Sequence, residues 1–233
     1  MTVWLGTLAR VLLPGVRRVH RQVARYAKSW DEANAAAMAA SGPLWVVLGD
    51  STAQGIGAST YTGGYVGQLL NLLNDQRPAG QPLWRVLNLS RSGARTADVL
   101  AVQLPKLDAI AAEQPPQLVT CAIGANDLIP TETDVLVRQL REVIARLPEG
   151  AVIATMPQGL RPRRALVVNE MIRAEAPAAG LLVADVWTWT GPPWRGKFAS
   201  DGFHPGGLGY TDWASAFAEA LGLSVPSARG AGA

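Results

Sequence analysis

From residue 42 onward the chain alternates short apolar runs with segments of helical periodicity, and that alternation constrains its fold more than any other feature. The runs "LWVVLG" (44–49), "LWRVLNL" (83–89), "LVTCAI" (118–123), "AVIATM" (151–156) and "LLVADVW" (181–187) read as buried strands. The clearest helix between them follows Asp134, where Leu136, Leu140, Val143, Ile144 and Leu147 share one face and Pro148-Glu149-Gly150 ends the run. A last helix is predicted over about 207–221, after a Gly-rich turn. Strand–helix alternation of this kind builds an α/β fold, a parallel sheet with helices on both faces. In such a sheet, sites form outside the carboxyl ends of the strands.

Polar residues gather at those ends. Behind the first run stands "GDSTAQG", with Ser51; behind the second, "NLSRSGAR", with Gly93 in a tight loop of small residues. Behind the third comes "IGANDL", with Asn126 and Asp127; beyond the fifth, past a Trp-rich loop, comes "SDGFHPGG", with Asp201 and His204. Each cluster has a plain structural reading, since Gly, Asp, Ser and Asn crowd into turns and helix caps for local backbone reasons. All four falling in order behind the strands that a site requires is a stronger pattern than any one of them.

Acyl transfer needs these residue types. A serine hydroxyl is a weak nucleophile until a base takes its proton. Of the two histidines, His20 and His204, only His204 lies outside the N-terminal segment. Asp201, three residues earlier on the same loop, is placed to reach the other ring nitrogen and to fix its tautomer. Backbone N–H groups of Ser51 and Gly93 and the side-chain amide of Asn126 would supply donors to a tetrahedral oxyanion.

"GDS" at 49–51, Gly93, "GAND" at 124–127 and "DGFHP" at 201–205 resemble the four blocks of the SGNH, or GDSL-type, hydrolases, over residues 44 to about 221. The resemblance implies a flavodoxin-like, three-layer α/β/α sandwich on a five-stranded parallel sheet. It also implies a serine hydrolase of esters or thioesters that uses no metal or cofactor. By position it makes Ser51, Asp201 and His204 the catalytic triad, and Ser51, Gly93 and Asn126 the oxyanion hole. Thr52 departs from the family, which often carries Leu beside the nucleophile, and this affects packing there rather than the chemistry.

Other readings fit less well. "GDSTA" approaches the G-x-S-x-G elbow of α/β-hydrolases with Ala53 in the last place, but that fold puts its nucleophile after several strands and its acid and base on separate loops. "GIGAST" (55–60) lacks the full G-x-G-x-x-G spacing of a nucleotide loop. A non-catalytic binding module on the same fold would usually have lost a triad member. Cys121, the only cysteine, excludes an internal disulfide and a cysteine-based zinc cluster, and reads as a small core residue. For the substrate, a lipid, an acetylated glycan or a small ester, the signals are thin. Trp187, Trp189 and Trp194 precede the acid–base loop and serve equally well as pocket walls or as loop packing. "RPRR" (161–164) reads as a solvated charge run ahead of a head-group contact.

Charge is unevenly placed. The net charge is +3, yet residues 1–40 carry Arg10, Arg17, Arg18, Arg21, Arg25 and Lys28 against only Asp31 and Glu32. The remaining chain is close to neutral, so the basic balance is no argument that residues 41–226 bind nucleic acid. Within 1–40, "VWLGTLARVLLPGV" (3–16) is broken by Arg10, Pro14 and Gly15 and is too short to span a bilayer. The start lacks the early basic residues and small-residue cleavage site of a secretory signal, which favours a cytoplasmic protein. Val16, Val19, Val23 and Tyr26 then recur at helical spacing opposite the basic residues. That stripe suits a helix at an anionic membrane surface, a helix packed on the protein's own sheet, or a dimer arm. The tail, 227–233, is expected to fray.

Overall fold

A computed structural model of the chain describes residues 14–225. Five parallel strands run β1 (Leu44–Gly49), β2 (Arg85–Asn88), β3 (Leu118–Ala122), β4 (Val152–Ala154) and β5 (Leu182–Ala184), in the order β2-β1-β3-β4-β5. The helices that concern the site are α1 (Pro14–Ala39), α2 (Tyr65–Asp75), α3 (Leu104–Glu113), α4 (Thr133–Arg146), α5 (Pro162–Ala178) and α6 (Gly207–Ala220). All five apolar runs become strands and pair in parallel. The fifth strand ends three residues early because the Asp185 carboxylate accepts the Thr188 N–H and starts a one-turn helix, Val186–Trp189.

Side chains alternate across the sheet and divide the core in two. On one face Leu44, Val46 and Leu48 meet Leu104 and Leu107 of α3, Leu136 and Leu140 of α4, and Val168 and Ile172 of α5. On the other, Trp45 and Val47 meet Leu69 of α2 and Trp213 and Phe217 of α6. The result is the expected three layers. The strand order changes direction on either side of β1, so a crevice opens between the carboxyl ends of β1 and β3.

Helix α1 settles the fate of the N-terminal apolar stripe. Val19 and Tyr26 are buried with Ile56, with Val23, Tyr61 and Ala199 packed against them. Trp30 joins the core beneath the second face and donates its indole N–H to the Gln54 carbonyl at 3.1 Å. Asn34 exchanges two hydrogen bonds with the backbone of Asn88, covering the edge strand β2. Arg85 on β2 in turn donates to the carbonyls of Ala37, Ala40 and Gly42, capping the end of α1. Of the three fates open to the stripe, packing within the protein's own domain is the one the fold uses, against the turn after β1 and the hairpin rather than on the sheet itself. Residues 14–39 therefore belong to the same packed body as the sheet and are not a separate segment. Residues 1–13 and the tail from 226 lie outside the described residues.

Candidate active site

The turn carrying Ser51 begins at Gly49, the last residue of β1. Gly49 has φ +154°, and a Cβ there would lie 2.6 Å from the Ala122 carbonyl on the neighbouring strand, so only glycine lets β1 and β3 stay paired to their ends. Both backbone groups of Gly49 are clamped by one side chain. Gln103 is buried in a π-helical turn ahead of α3, accepts the Gly49 N–H and donates to the Gly49 carbonyl, each at 2.8 Å. No sequence motif marks Gln103. It sits 54 residues away and only the crossover of α3 brings it to β1.

Past Gly49, Asp50 is buried with Ser51 beside it, 6% exposed. One carboxylate oxygen of Asp50 accepts the Thr52 N–H at 2.9 Å and the Thr52 hydroxyl at 2.8 Å. Thr52 thereby gives a packing departure a polar purpose, since a leucine in its place has no hydroxyl to donate. The other oxygen accepts from the Asn126 amide at 3.2 Å. Burial pushes the Asp50 carboxyl above its ordinary range, with the Thr52 bonds and the His204 charge pulling the other way.

The acid–base loop is a hairpin. Phe198 and Pro205 pair across it, and the Ala199 N–H donates to the His204 carbonyl at 2.8 Å. Asp201 folds back on the tip. One oxygen accepts the backbone N–H groups of Phe203 and His204, both at 3.0 Å, and the other lies 2.6 Å from His204 Nδ1. Burial raises the Asp201 carboxyl, but these bonds outweigh it and hold the group below the usual carboxylate range. His204 Nε2 lies 3.0 Å from Ser51 Oγ, across 153 residues of sequence. Helix α6 holds the hairpin in register with the serine turn, because the Tyr210 hydroxyl donates to the Ile56 carbonyl at 2.6 Å.

The two remaining loops close the crevice. Gly93 adopts φ +79° with no atom within 4 Å of where a Cβ would stand, and no partner among the described residues takes its N–H or that of Ser51. The Asn126 amide donates to Asp50 and, at 2.9 Å, to the Ala94 carbonyl. Its neighbour Asp127, 1% exposed, accepts the Thr96 N–H, the Thr96 hydroxyl and the Thr131 hydroxyl. Asp127 ties the Gly93 loop to the Asn126 loop and holds no position on the crevice wall. Gln54 does similar service, donating to the Ser90 carbonyl and accepting from the Ser92 backbone and hydroxyl.

A cavity of about 250 Å³ opens onto Ser51, Asn126 and His204. Of the three tryptophans of the preceding loop, Trp194 lines it and stacks on Phe198. Trp187 packs against the core instead, and Trp189 packs on the other core cluster while its indole donates to Glu219 at 2.6 Å. Those two are packing residues and do not line the cavity. The cavity wall is instead completed by Phe203, inside the "DGFHP" block, and by Leu160 and Trp213, which no sequence motif marks. The Lys197–Asp212 ion pair, at 2.7 Å and about four-fifths buried, also lines the cavity. The charge run at 161–164 is divided: Arg161 and Arg163 are solvated, whereas Arg164 is half-buried and donates to Thr133 and to the carbonyls of Leu128 and Thr131. Cys121 sits in β3 with its thiol pushed up to about 12 by burial, unreactive core as expected.

Comparison with known proteins places the fold and the family. No curated protein sequence matches the chain. Among solved structures, the fold is shared with TesA, at TM-score 0.61 and 24% identity over 76% of this chain and 97% of that one. It is shared too with LAE5, an α/β hydrolase enzyme from the metagenome of Lake Arreo, Spain, at TM-score 0.62 and 24% identity over 78% and 96%. A third is a family 3 carbohydrate esterase of Clostridium thermocellum, at TM-score 0.54 and 18% identity over 77% and 94%. The sequence model of the GDSL-like lipase/acylhydrolase family matches residues 47–211, from the middle of β1 into α6 and so across every loop of the crevice. The chain belongs to the GDSL-like lipase/acylhydrolase family and is a carboxylic ester hydrolase.

Proposed function

We propose that the chain hydrolyses its ester through a covalent acyl-enzyme at Ser51. Ser51 Oγ attacks the carbonyl carbon while His204 Nε2 takes its proton, and Asp201, held ionised, keeps Nδ1 protonated and stabilises the imidazolium that forms. The same imidazolium then protonates the leaving alcohol or thiol. Water, deprotonated by His204, releases the acid and restores the serine. The oxyanion is met by the N–H groups of Ser51 and Gly93 and by the Asn126 amide, which gives up its longer bond, the one to Asp50, to do so. The observation that carries this reading is the continuous contact Ser51–His204–Asp201, at 3.0 and 2.6 Å, opening on one cavity.

The cavity sits below the roughly 300–1,000 Å³ that holds drug-sized ligands, and aromatic side chains form much of its wall. It therefore suits a short acyl chain or a small ester better than a long buried one. A panel of p-nitrophenyl esters from acetate to palmitate tests this, with kcat/KM expected to peak at short chains. Incubation with a fluorophosphonate followed by intact-mass measurement tests the nucleophile: one adduct is expected on the wild-type chain and none on Ser51→Ala. A wild-type chain that takes no adduct would return the protein to the reading of a binding module.

A further inference from the structure

A second, larger cavity, about 980 Å³, lies on the other side of the acid–base hairpin. One wall is α1, where Arg17, Arg18, Arg21 and Arg25 form a row along one side of the helix; the other is the turn Gly57–Ser59 together with Ser200 of the hairpin. The Ser200 hydroxyl donates to the Gly15 carbonyl at 3.2 Å, joining the two walls. From Arg17 to Arg25 the row extends about 12 Å along the helix axis. Among the described residues, no carboxylate lies within ion-pair distance of any of the four. Like charges at i,i+4 destabilise a helix, and Arg17, Arg21 and Arg25 stand at that spacing with no carboxylate between them. Arg25 alone has a local partner, its guanidinium lying over the Tyr26 ring and donating to the Tyr26 hydroxyl at 3.4 Å. Such a row is a cost to the isolated fold, which an anionic partner would offset.

Three observations point to which partner. The apolar stripe of α1 is buried on the domain, so the helix has no apolar face left for immersion and only its charge is free. The hairpin that walls the cavity with Ser200 also carries Phe198 and Phe203, which are 42% and 49% exposed at the mouth of the active-site cavity. Exposed aromatics beside a basic row suit the headgroup boundary of a bilayer and serve no purpose toward a soluble phosphate. Finally, the sequence of residues 1–13 contains no Asp or Glu. We propose that the Arg17–Arg25 row docks on the phosphate headgroups of an anionic phospholipid surface, beside the mouth of the active site. This docking is independent of the catalytic assignment, and the inactive Ser51→Ala chain should show it equally.

The test is co-sedimentation of the full-length protein with vesicles of phosphatidylglycerol and phosphatidylcholine, against vesicles of phosphatidylcholine alone. The variant is R17Q/R18Q/R21Q, whose three side chains are exposed, with thermal unfolding to check that it folds and the single variants R17Q and R21Q in reserve if it does not. Binding to the anionic vesicles is expected, falling about fivefold for each arginine removed and about a hundredfold for three. It should weaken between about 50 and 500 mM salt, while turnover of a small soluble ester stays unchanged. Wild-type protein left in the supernatant at low salt overturns the proposal, as does a folded variant that binds as well as wild type. Displacement by millimolar glycerol phosphate would make the row a site for a soluble anion. Equal competition by duplex DNA would make it a general polyanion surface. Either result overturns the lipid assignment.

Discussion

Two aspartates stand on opposite sides of the Ser51–His204 contact, and the protein treats them in opposite ways. Asp50, in the serine turn, is buried and pushed toward its neutral form; Asp201, on the hairpin, is held ionised by the imidazole and by two backbone N–H groups. The difference follows from how each region is built. The serine turn hangs from the middle of the sheet and is fastened by residues far away in sequence: Gln103, Asn126, Trp30. The hairpin fastens itself through bonds between neighbours two and three residues apart. Asp50 is wholly enclosed, so desolvation outweighs its two bonds from Thr52; Asp201 is less deeply enclosed, and the imidazole together with two backbone N–H groups outweighs the desolvation there.

The comparison is tested most severely at the contact itself. Ser51→Ala and His204→Ala are each expected to lower kcat on p-nitrophenyl acetate by about 10⁴–10⁶-fold, with the double variant scarcely worse, because the two act as a unit. Losses that multiplied in the double variant would separate the two regions functionally. Asn126→Ala comes next, with a fall of about 10²–10³ in kcat and little change in KM, since its amide serves charge that exists only in the transition state. A large rise in KM at constant kcat would make Asn126 a ground-state contact.

Gln103→Ala touches only the scaffold side. It leaves the N–H of Gly49 buried without a partner and the carbonyl with only the Arg91 N–H at 3.3 Å, and should cost about 1–3 kcal/mol, read as a lower midpoint in urea. A stability equal to wild type would show that the serine turn does not depend on this clamp.

The smallest and sharpest test is pH. Asp201 has its native pKa depressed, so its contribution to stability is fully present above the ordinary carboxylate range, near pH 4, and is lost as pH falls through the depressed value. The stability gap between wild type and Asp201→Asn should therefore close on acidification. Asp50 has its native pKa raised, so the folded state holds that proton longer than the unfolded one and stability falls as pH rises from about 4 toward the raised value. Asp50→Asn should relieve that loss, so its gap to wild type should change above about pH 4, whereas the Asp201 gap changes only below it. Two parallel curves would remove the distinction between the regions.

Much of this architecture is legible in the order of the amino acids. Five apolar runs separated by helical periods determine a parallel sheet, because a continuous apolar strand must be covered on both faces. The hairpin is legible in the spacing Asp201-x-x-His204, since three residues in a tight loop bring carboxylate to imidazole without help from elsewhere. What lies beyond reach depends on distant partners. The stripe on α1 shows apolar periodicity, but periodicity does not name the surface that buries it; Ile56, Tyr61 and Ala199 do. Trp187 and Trp189 differ from Trp194 in nothing local, and only the core and Glu219 draw the first two away from the cavity. Gln103, Asp127 and Thr52 look like ordinary polar residues in sequence. Their partners Gly49, Thr96 and Asp50 make them the fastenings of the site, and except for Thr52 those partners lie 31 or more residues away. Sequence by itself determined the order of elements and the contact of Asp201 with His204, three residues apart. The burial of a side chain is a property of all the chain segments that surround it, so the tertiary structure alone decided which polar groups lost their water and which aromatic and basic faces kept it.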